Sequence, residues 1–559
     1  MRISNKTSVQ TILFHLQELG VKNIVYSPGS RNAPFAISLD GNPNFNVHVK
    51  VDERSAAFFA LGIAQQTKMP VVLICTSGTA PLNYAPAIAE AFYQEVPLIV
   101  ITADRPAESI NQSEGQCIDQ KGIYNNYIKY QCTLIEEAAS DEDLAVNNVL
   151  VGNAIALSHT FPRGPVHINV PFQEPLYLEA TDPINLNKGS VEFSTTSIDL
   201  PQPTFDAKKQ YLLLLGQNND VRMEAQIRHV AQFPNVWVMT ETHSNLHGCG
   251  GIDCIDRWIM SLSKKQMEDL QWDVVVSLGH NIISRKIKTL IRQKVKEHWS
   301  IQWQEHPIDT YRKGPIVFRC SANEFMEAWL LEIAKSSFAF STDAEQARPG
   351  IQQLNLNEYF DYRPFSDLKF FHALSHSWPK GAQVQMGNSS VVRYIQLFDQ
   401  RRDLRFFGNR GVSGIDGSTS TAVGAAVVTS VPVVLVTGDL SFLYDANGLW
   451  HQPWPKHLKI IVVDNGGGGI FKIIDGAKNE PSVPRFFETS HNRDILQWVK
   501  GLGLTAQVIH EPKHDDLRNF FNDEKMSVLV VKTPGDVNPI ELDLFFEYFK
   551  QQNERVANN

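Results

Sequence analysis

The chain has 559 residues, 43% hydrophobic and 20% charged. That balance suits a folded globular protein, and at roughly 100 to 200 residues per domain it predicts about three or four domains. A net charge of -9 gives no overall field to hold a polyanion, so nucleic-acid binding is not expected. Six cysteines are too sparse for a disulfide scaffold. The longest apolar runs, such as Val431–Val436, fall short of the ~20 residues that cross a bilayer. No export signal is read before the amphipathic Val9–Leu16, and the expectation is a cytoplasmic protein with no membrane span.

In chain order, the runs Asn23–Tyr26, Val47–Val51, Val71–Cys75, Leu98–Ile101 and Val166–Val170 alternate with helical patterns. Short β-branched runs of this kind mark parallel βα units and predict a doubly wound α/β domain over residues 1–180. The polar, aperiodic stretch Thr181–Pro203 reads as a linker. A second domain, 204–335, carries runs at Tyr211–Leu215, Val236–Met239, Asp273–Leu278 and Trp299–Trp303. Within it, His243, His247, Cys249 and Cys254 bear metal-ligating groups. One pair spaced by four and two isolated thiols do not make a compact zinc module, so they are read as buried side chains of a loop. After another polar change, Ser336–Pro364, a third α/β domain, 365–559, has runs at Gln383–Met386, Arg405–Phe407, Val433–Val436, Ile460–Val463 and Val528–Val531.

The sharpest local feature is the run Val433–Val436 leading into Thr437-Gly438-Asp439-Leu440. Twenty-six residues after Asp439, a second such run has ended in Asp464-Asn465-Gly466-Gly467-Gly468-Gly469, followed by Ile470-Phe471-Lys472-Ile473. Both motifs fall at the strand ends where open α/β sheets bind ligands. Asp439 offers a carboxylate, Asn465 a side-chain carbonyl and the glycine run a backbone carbonyl, an oxygen set suited to Mg²⁺ on a diphosphate. Helix N-termini beside them add amides for the anion. Either motif alone would be an ordinary turn; the pair at this spacing points to a site.

This pair resembles the metal motif of the thiamine-diphosphate enzyme superfamily, Gly-Asp followed by Asn. The resemblance implies that Asp439, Asn465 and the Gly467 carbonyl hold Mg²⁺, with Mn²⁺ as the alternative. Gly438, Leu440, Gly468, Ile470 and Phe471 would then contact the cofactor. Asp464 departs from the Asn common in the family, but it precedes the ligand position. A thiamine enzyme also needs a glutamate facing N1′ of the aminopyrimidine. Val51-Asp52-Glu53-Arg54-Ser55 supplies Glu53 at a helix start, where an Asp-Glu pair would otherwise be a dipole-stabilising cap.

Ser27-Pro28-Gly29-Ser30-Arg31, Thr76-Ser77-Gly78-Thr79-Ala80, Thr102-Ala103-Asp104-Arg105-Pro106, Gly387-Asn388-Ser389-Ser390-Val391-Val392-Arg393 and Arg410-Gly411-Val412-Ser413-Gly414-Ile415-Asp416-Gly417 narrow the resemblance further. Together with the Glu53 segment they are similar, nearly end to end, to the succinyl-enolpyruvyl-hydroxycyclohexene-carboxylate synthases of menaquinone biosynthesis. That family implies three doubly wound parallel-sheet domains, pyrimidine-binding, central and diphosphate-binding. Its activity is the decarboxylating transfer of the succinyl semialdehyde unit of 2-oxoglutarate to isochorismate. Both substrates are dicarboxylates, and Arg offers permanently charged bidentate donors for such groups. By resemblance Ser30, Arg31, Arg105, Ser389, Arg393 and Arg410 line the substrate pocket, with Arg285 or Lys286 added from the central domain. Gln116 is favoured over Gln112 as the pocket glutamine. Ser413 and Ile415 would contact the cofactor, Ile415 as the wedge that bends it, although plain core packing accounts for Ile415 equally well. The family also implies a homodimer or homotetramer in which the first domain of one subunit faces the third domain of another.

Other readings stay open at this point. An acetohydroxyacid-synthase-like carboligase acting on pyruvate needs fewer arginines. A nicotinamide or flavin oxidoreductase would show G-x-G-x-x-G, whereas Gly411, Gly414 and Gly417 are spaced differently. A non-catalytic binding protein would leave Glu53 and the Asp439–Asn465 pair without a purpose.

Overall fold

The computed structural model describes residues 2–181, 184, 202–217, 222–304, 306–336, 354–474, 476–477 and 480–558. Most of the expected linker Thr181–Pro203, and residues 337–353 of the second polar stretch, lie outside the described residues. Two compact units form. One comprises Met1–Thr196, Asn409–Ser430 and Tyr444–Leu458; the other comprises Ser197–Gly408, Val431–Leu443 and Lys459–Asn559.

The first unit is built on β1 (Asn23–Tyr26), β2 (Asn46–Val49), β3 (Val71–Cys75), β4 (Leu98–Asp104), β5 (Tyr130–Thr133) and β6 (Val166–Pro171). These strands pair in parallel in the order β2-β1-β3-β4-β6-β5. Every residue of β3 and β4 is buried, as expected of a parallel sheet with helices on both faces. The chain leaves β1 for β2 on one side and then crosses back to β3 on the other. The reversal opens a crevice between the carboxyl ends of β1 and β3, the usual ligand position in such sheets.

The second unit holds two sheets. The central one, from β7 (Tyr211–Leu215), β8 (Val236–Thr240), β9 (Trp272–Leu278), β10 (Val295–Ile301) and β11 (Ile316–Phe318), runs β11-β10-β9-β7-β8. The other uses β12 (Gln383–Met386), β13 (Arg405–Phe407), β14 (Val433–Gly438), β15 (Leu458–Asp464), β16 (Thr505–Ile509) and β17 (Ser527–Lys532) in the order β13-β12-β14-β15-β17-β16. Strand for strand this repeats the order of the first sheet, so its reversal falls between β12 and β14.

Three strands escape the sequence reading, and each is a sheet edge: β5, β11 and β16. β5 and β16 mix polar with apolar residues and are mostly partly buried, and β11 is only three residues long, so none shows the sustained apolar run that marks an inner strand. The strand expected at Trp299–Trp303 begins earlier, at Val295, because the Arg285–Lys294 helix runs straight into it with no turn residue between them. The strand expected to end at Val51 ends at Val49, and Asp52 caps the next helix by accepting the Ser55 amide at 3.2 Å.

That helix, Glu53–Thr67, packs against the helix Ser418–Val427 of the same unit. The approach is backbone to backbone: a Cβ at Gly62 would collide with the Thr421 carbonyl, and one at Gly424 with the Phe59 carbonyl. Asp445 holds the start of the second helix, accepting from the Ser420 amide at 2.7 Å and its hydroxyl at 2.8 Å. Gly424→Ala is therefore expected to lower stability by about 1–3 kcal/mol, the usual penalty of overpacking. Gly501→Ala, with nothing near its Cβ, should be close to neutral. Denaturant midpoints of the two variants check this, and equal midpoints would rule out the close helix contact.

Candidate active site

In the first unit the reversal point gathers four of the expected residues. Ser30 and Arg31 follow β1, and the loop after β3 meets them: a Cβ at Gly29 would run into Thr76, and the Arg31 amide donates to Thr76 Oγ1 at 3.3 Å. Arg31 is only 4% exposed. Its guanidinium donates to the Phe172 carbonyl at 3.1 Å and pairs with Glu174 at 3.2 Å. Burial, then the neighbouring Arg105 charge, lower its pKa. Arg105 follows β4 directly, with its guanidinium on the Gly115 carbonyl at 2.9 Å. Gln116 lies at a positive φ of 54°, its carbonyl accepting from Ser77 Oγ at 2.8 Å, and its side chain is exposed. Two cations thus share a sheet edge, where an anionic substrate group can be bound.

Glu53 occupies the first turn of its helix, fixed by the Asp52 cap. Asp52 also accepts from Asn447 Nδ2 at 2.8 Å, and Arg54 lies over the Tyr444 ring and donates to its carbonyl at 2.7 Å. Burial raises the Glu53 pKa, its own backbone amide opposes this, and Asp52 adds to the rise. A carboxyl shifted upward in this way holds a proton more readily than an ordinary glutamate. Also in this unit, the segment after Asn409 carries Arg410, which is buried, Ser413 at φ 68°, and Ile415. Ile415 is 41% exposed, which sets aside the reading of it as core packing.

The second unit places the Asp439 motif as the spacing required. β14 ends at Gly438 and Asp439 opens a helix; β15 ends at Asp464, next to Asn465. Asp439 is nearly fully buried, accepting from the Leu440 amide at 2.6 Å and the Gly467 amide at 2.9 Å. Burial pushes its pKa up to about 7, the Leu440 amide lowers it, and the Asp464 carboxylate raises it. Asn465 donates to Asp367 at 3.1 Å, so its amide nitrogen is engaged and its carbonyl oxygen turns the other way. Gly467, at φ 149°, and Gly466, at φ 82°, adopt backbone shapes suited to glycine. The Gly468 amide bonds to the Glu488 carbonyl at 2.6 Å, and Ile470 and Phe471 follow in a short 3₁₀ turn.

Arg285, Lys286 and Arg393 line one cavity of the second unit, of about 140 Å³, together with Asp256, Tyr394, Ile473 and Phe546. Ser284 caps the helix that begins at Arg285, and its hydroxyl also donates to Asp256. Ser389, at φ 70°, accepts from the Arg393 guanidinium through its carbonyl.

Several residues of these sites carry no signal in the sequence. His491 stands 3.3 Å from Asp439, and with Asp464 the three form the only group of three or more ligating side chains among the described residues. Asp464, read as a neutral departure, therefore adds charge beside Asp439, balanced in part by Lys532 at 3.6 Å. Asp367 and Asp256 reach their places from helices elsewhere in the chain, and no local pattern announces them. The four metal-ligating side chains of the central domain are buried, as the sequence reading has them, and each bonds elsewhere: His243 turns to the Asn281 carbonyl, His247 to that of Arg401, Cys249 to that of His247 and Cys254 to Asp399.

Comparison with known proteins agrees with this geometry. Residues 6–123 match the family model "Thiamine pyrophosphate enzyme, N-terminal TPP binding domain", and residues 385–531 match the corresponding C-terminal TPP binding domain. The structure is similar to the benzoylformate decarboxylase of Polynucleobacter necessarius, with a TM-score of 0.69 at 18% identity over 95% of this chain and 99% of that one, a likeness of fold. A 2-succinyl-5-enolpyruvyl-6-hydroxy-3-cyclohexene-1-carboxylate synthase of Flavobacterium psychrophilum is 39% identical, over 97% of this chain and 98% of its own. One of Porphyromonas gingivalis is 34% identical over 99% of each. Identity of this extent, on a chain whose motifs stand at the reversal points of two six-stranded sheets, means that it belongs to the 2-succinyl-5-enolpyruvyl-6-hydroxy-3-cyclohexene-1-carboxylate synthase family of thiamine-diphosphate enzymes.

Proposed function

We propose that the protein transfers the succinyl semialdehyde unit of 2-oxoglutarate to isochorismate with release of CO₂, in menaquinone biosynthesis in the cytoplasm. The observation that carries the choice of substrates is the cavity onto which Arg285, Lys286 and Arg393 converge. A pyruvate carboligase has no use for three cations at one small site, whereas dicarboxylates do. Arg31 and Arg105, together in the first unit, and Arg410 supply further carboxylate contacts, with Ser30, Ser389 and Gln116 as neutral partners.

Asp439, Asn465 and the Gly467 carbonyl suit Mg²⁺ or Mn²⁺, since all three offer hard oxygen donors. A buried Asp439 carboxylate beside Asp464 is a charge that a divalent cation would neutralise. When bound, thiamine diphosphate supplies a nucleophilic carbon and an electron sink for decarboxylation. Glu53 holds a proton at N1′ of the aminopyrimidine, and its raised pKa helps it to do so. Gly438, Leu440, Gly468, Ile470 and Phe471 would hold the diphosphate side of the cofactor, and Ser413 and Ile415 would contact its rings. The proposed domain division is 1–180, 204–335 and 365–559, and one parallel sheet in each segment supports it. No helix among the described residues is long and apolar enough to cross a membrane.

The direct test crosses 2-oxoglutarate and pyruvate with isochorismate and simple aldehydes, in the presence of thiamine diphosphate and Mg²⁺. Consumption of 2-oxoglutarate with isochorismate is expected; turnover confined to pyruvate and aldehydes would replace this reading with the carboligase. Asp439→Ala should weaken thiamine diphosphate binding by roughly 100-fold or more in calorimetry, beyond the loss of an outer-shell partner, and unchanged affinity refutes the metal assignment. Glu53→Gln should bind cofactor while its C2 deuterium exchange slows about 10²–10⁴-fold. An unaltered exchange rate removes Glu53 from the mechanism. The minimal active unit is proposed to be a homodimer, which pairs further into a tetramer, with sites shared between subunits. Mixing the two inactive variants should then restore about a quarter of wild-type activity, because about half the dimers are mixed and one of their two sites is intact. Well-exchanged mixtures without activity point to sites built by single chains.

A further inference from the structure

Glu90 lies in the helix Ala80–Gln94 and is 2% exposed. Its carboxylate reaches the segment that follows Arg410, in the same unit. Oε1 accepts the Gly411 amide at 2.6 Å, and Oε2 accepts those of Val412 at 2.7 Å and Ser413 at 3.3 Å. Gln94 donates to Oε1 as well and is itself held by Gln65 at 2.9 Å. All the partners are donors, so only an ionised, acceptor-only carboxylate satisfies them. Three successive amides turned to one anion form an anion-binding nest, here filled by the protein's own side chain. Gly411 has no Cβ to spare, since one would stand 2.6 Å from the Glu90 carbonyl oxygen. On its other side the segment faces outward, with Val412 54% exposed. A loop that would otherwise be free to move is thus pinned from beneath.

We infer that Glu90 is a positioning residue: by binding the amides of Gly411, Val412 and Ser413 it sets the backbone from which Arg410 meets the dicarboxylate substrate and Ser413 meets the cofactor. This rests on the functional reading above for the roles of Arg410 and Ser413. Gln has the same shape but offers one acceptor and turns an N–H₂ toward amide donors, so Glu90→Gln breaks the nest without emptying the space. The loss at a buried site of this kind exceeds that of an exposed ion pair.

Two measurements on the full-length enzyme test the inference. In the wild type, with or without cofactor, hydrogen exchange of the Gly411–Ser413 amides should be about 100-fold or more slower than in the exposed 111–115 loop, reflecting hydrogen bonds closed to water. Exchange of these amides at the loop rate overturns the proposal without any variant. In Glu90→Gln that protection should be lost, and the KM for 2-oxoglutarate should rise about tenfold with kcat changed less, as expected of a displaced charge-assisted contact. A folded variant with unaltered KM overturns the positioning role, leaving Glu90 a packing residue. If the wild type fails to turn over 2-oxoglutarate while its amides are protected, the functional reading fails and the anchoring stands. In that event thiamine diphosphate affinity of Glu90→Gln, expected to fall through Ser413, decides the role, and equal affinity overturns it.

Discussion

Two helices of the first unit come together backbone to backbone because Gly62 and Gly424 carry no Cβ. Much of the candidate chemistry hangs on that contact. One helix begins at Glu53 and the other follows the segment Arg410–Gly417, so two segments with proposed roles in the chemistry are carried by elements that cannot slide apart. Interiors pack like crystals, and any side chain inserted between two such backbones must displace one of them. The alanines and glycines of these helices, poor core fillers elsewhere, are here what makes close approach feasible.

Buried carboxylates do the joining within each unit. Glu90 binds three amides of the Gly411–Ser413 segment, Asp445 binds the first turn of the Ser418–Val427 helix, and Asp367 binds Asn465 at 3.1 Å and the Thr533 hydroxyl at 2.5 Å. A buried charge is costly unless every lone pair finds a donor. Once satisfied, it fixes a backbone shape more firmly than apolar packing can, because each bond has a direction. Asp439, whose pKa burial raises as it does for those three, differs in being set beside a second carboxylate, Asp464, which adds to the rise.

The two six-stranded sheets share one strand order, and the repetition extends to detail. In one, a Cβ at Gly29, after β1, would run into the side chain of Thr76, just past β3; in the other, a Cβ at Gly387, after β12, would meet Thr437 within β14. The reversal of direction between these strands splays the following loops, and a glycine and a threonine close the base of each crevice. The same architecture then bears different chemistry, arginines at one crevice and a carboxylate motif at the other, because loops vary freely on a fixed sheet.

Inner strands such as Val71–Cys75, Val433–Val436 and Ile460–Val463 were legible in the sequence, since burial on both faces leaves a continuous apolar run between turn residues. The same runs made Asp439 and Asn465 readable, because two such strand ends, one with Gly-Asp and one with Asn-Gly, recur at a spacing that ordinary turns do not explain together. Glu53 was legible only together with that pair. What the sequence could not show were contacts without a period: the edge strands β5, β11 and β16, too short or too mixed in polarity for a pattern, and the partners Glu90, Asp367 and His491, whose neighbours lie far along the chain. The sequence by itself determined the sheets and the chemistry of their ends, as these depend on residues a few positions apart. Only the tertiary structure decided which buried carboxylate holds which loop, because hydrogen bonds between distant segments depend on where the helices carry them.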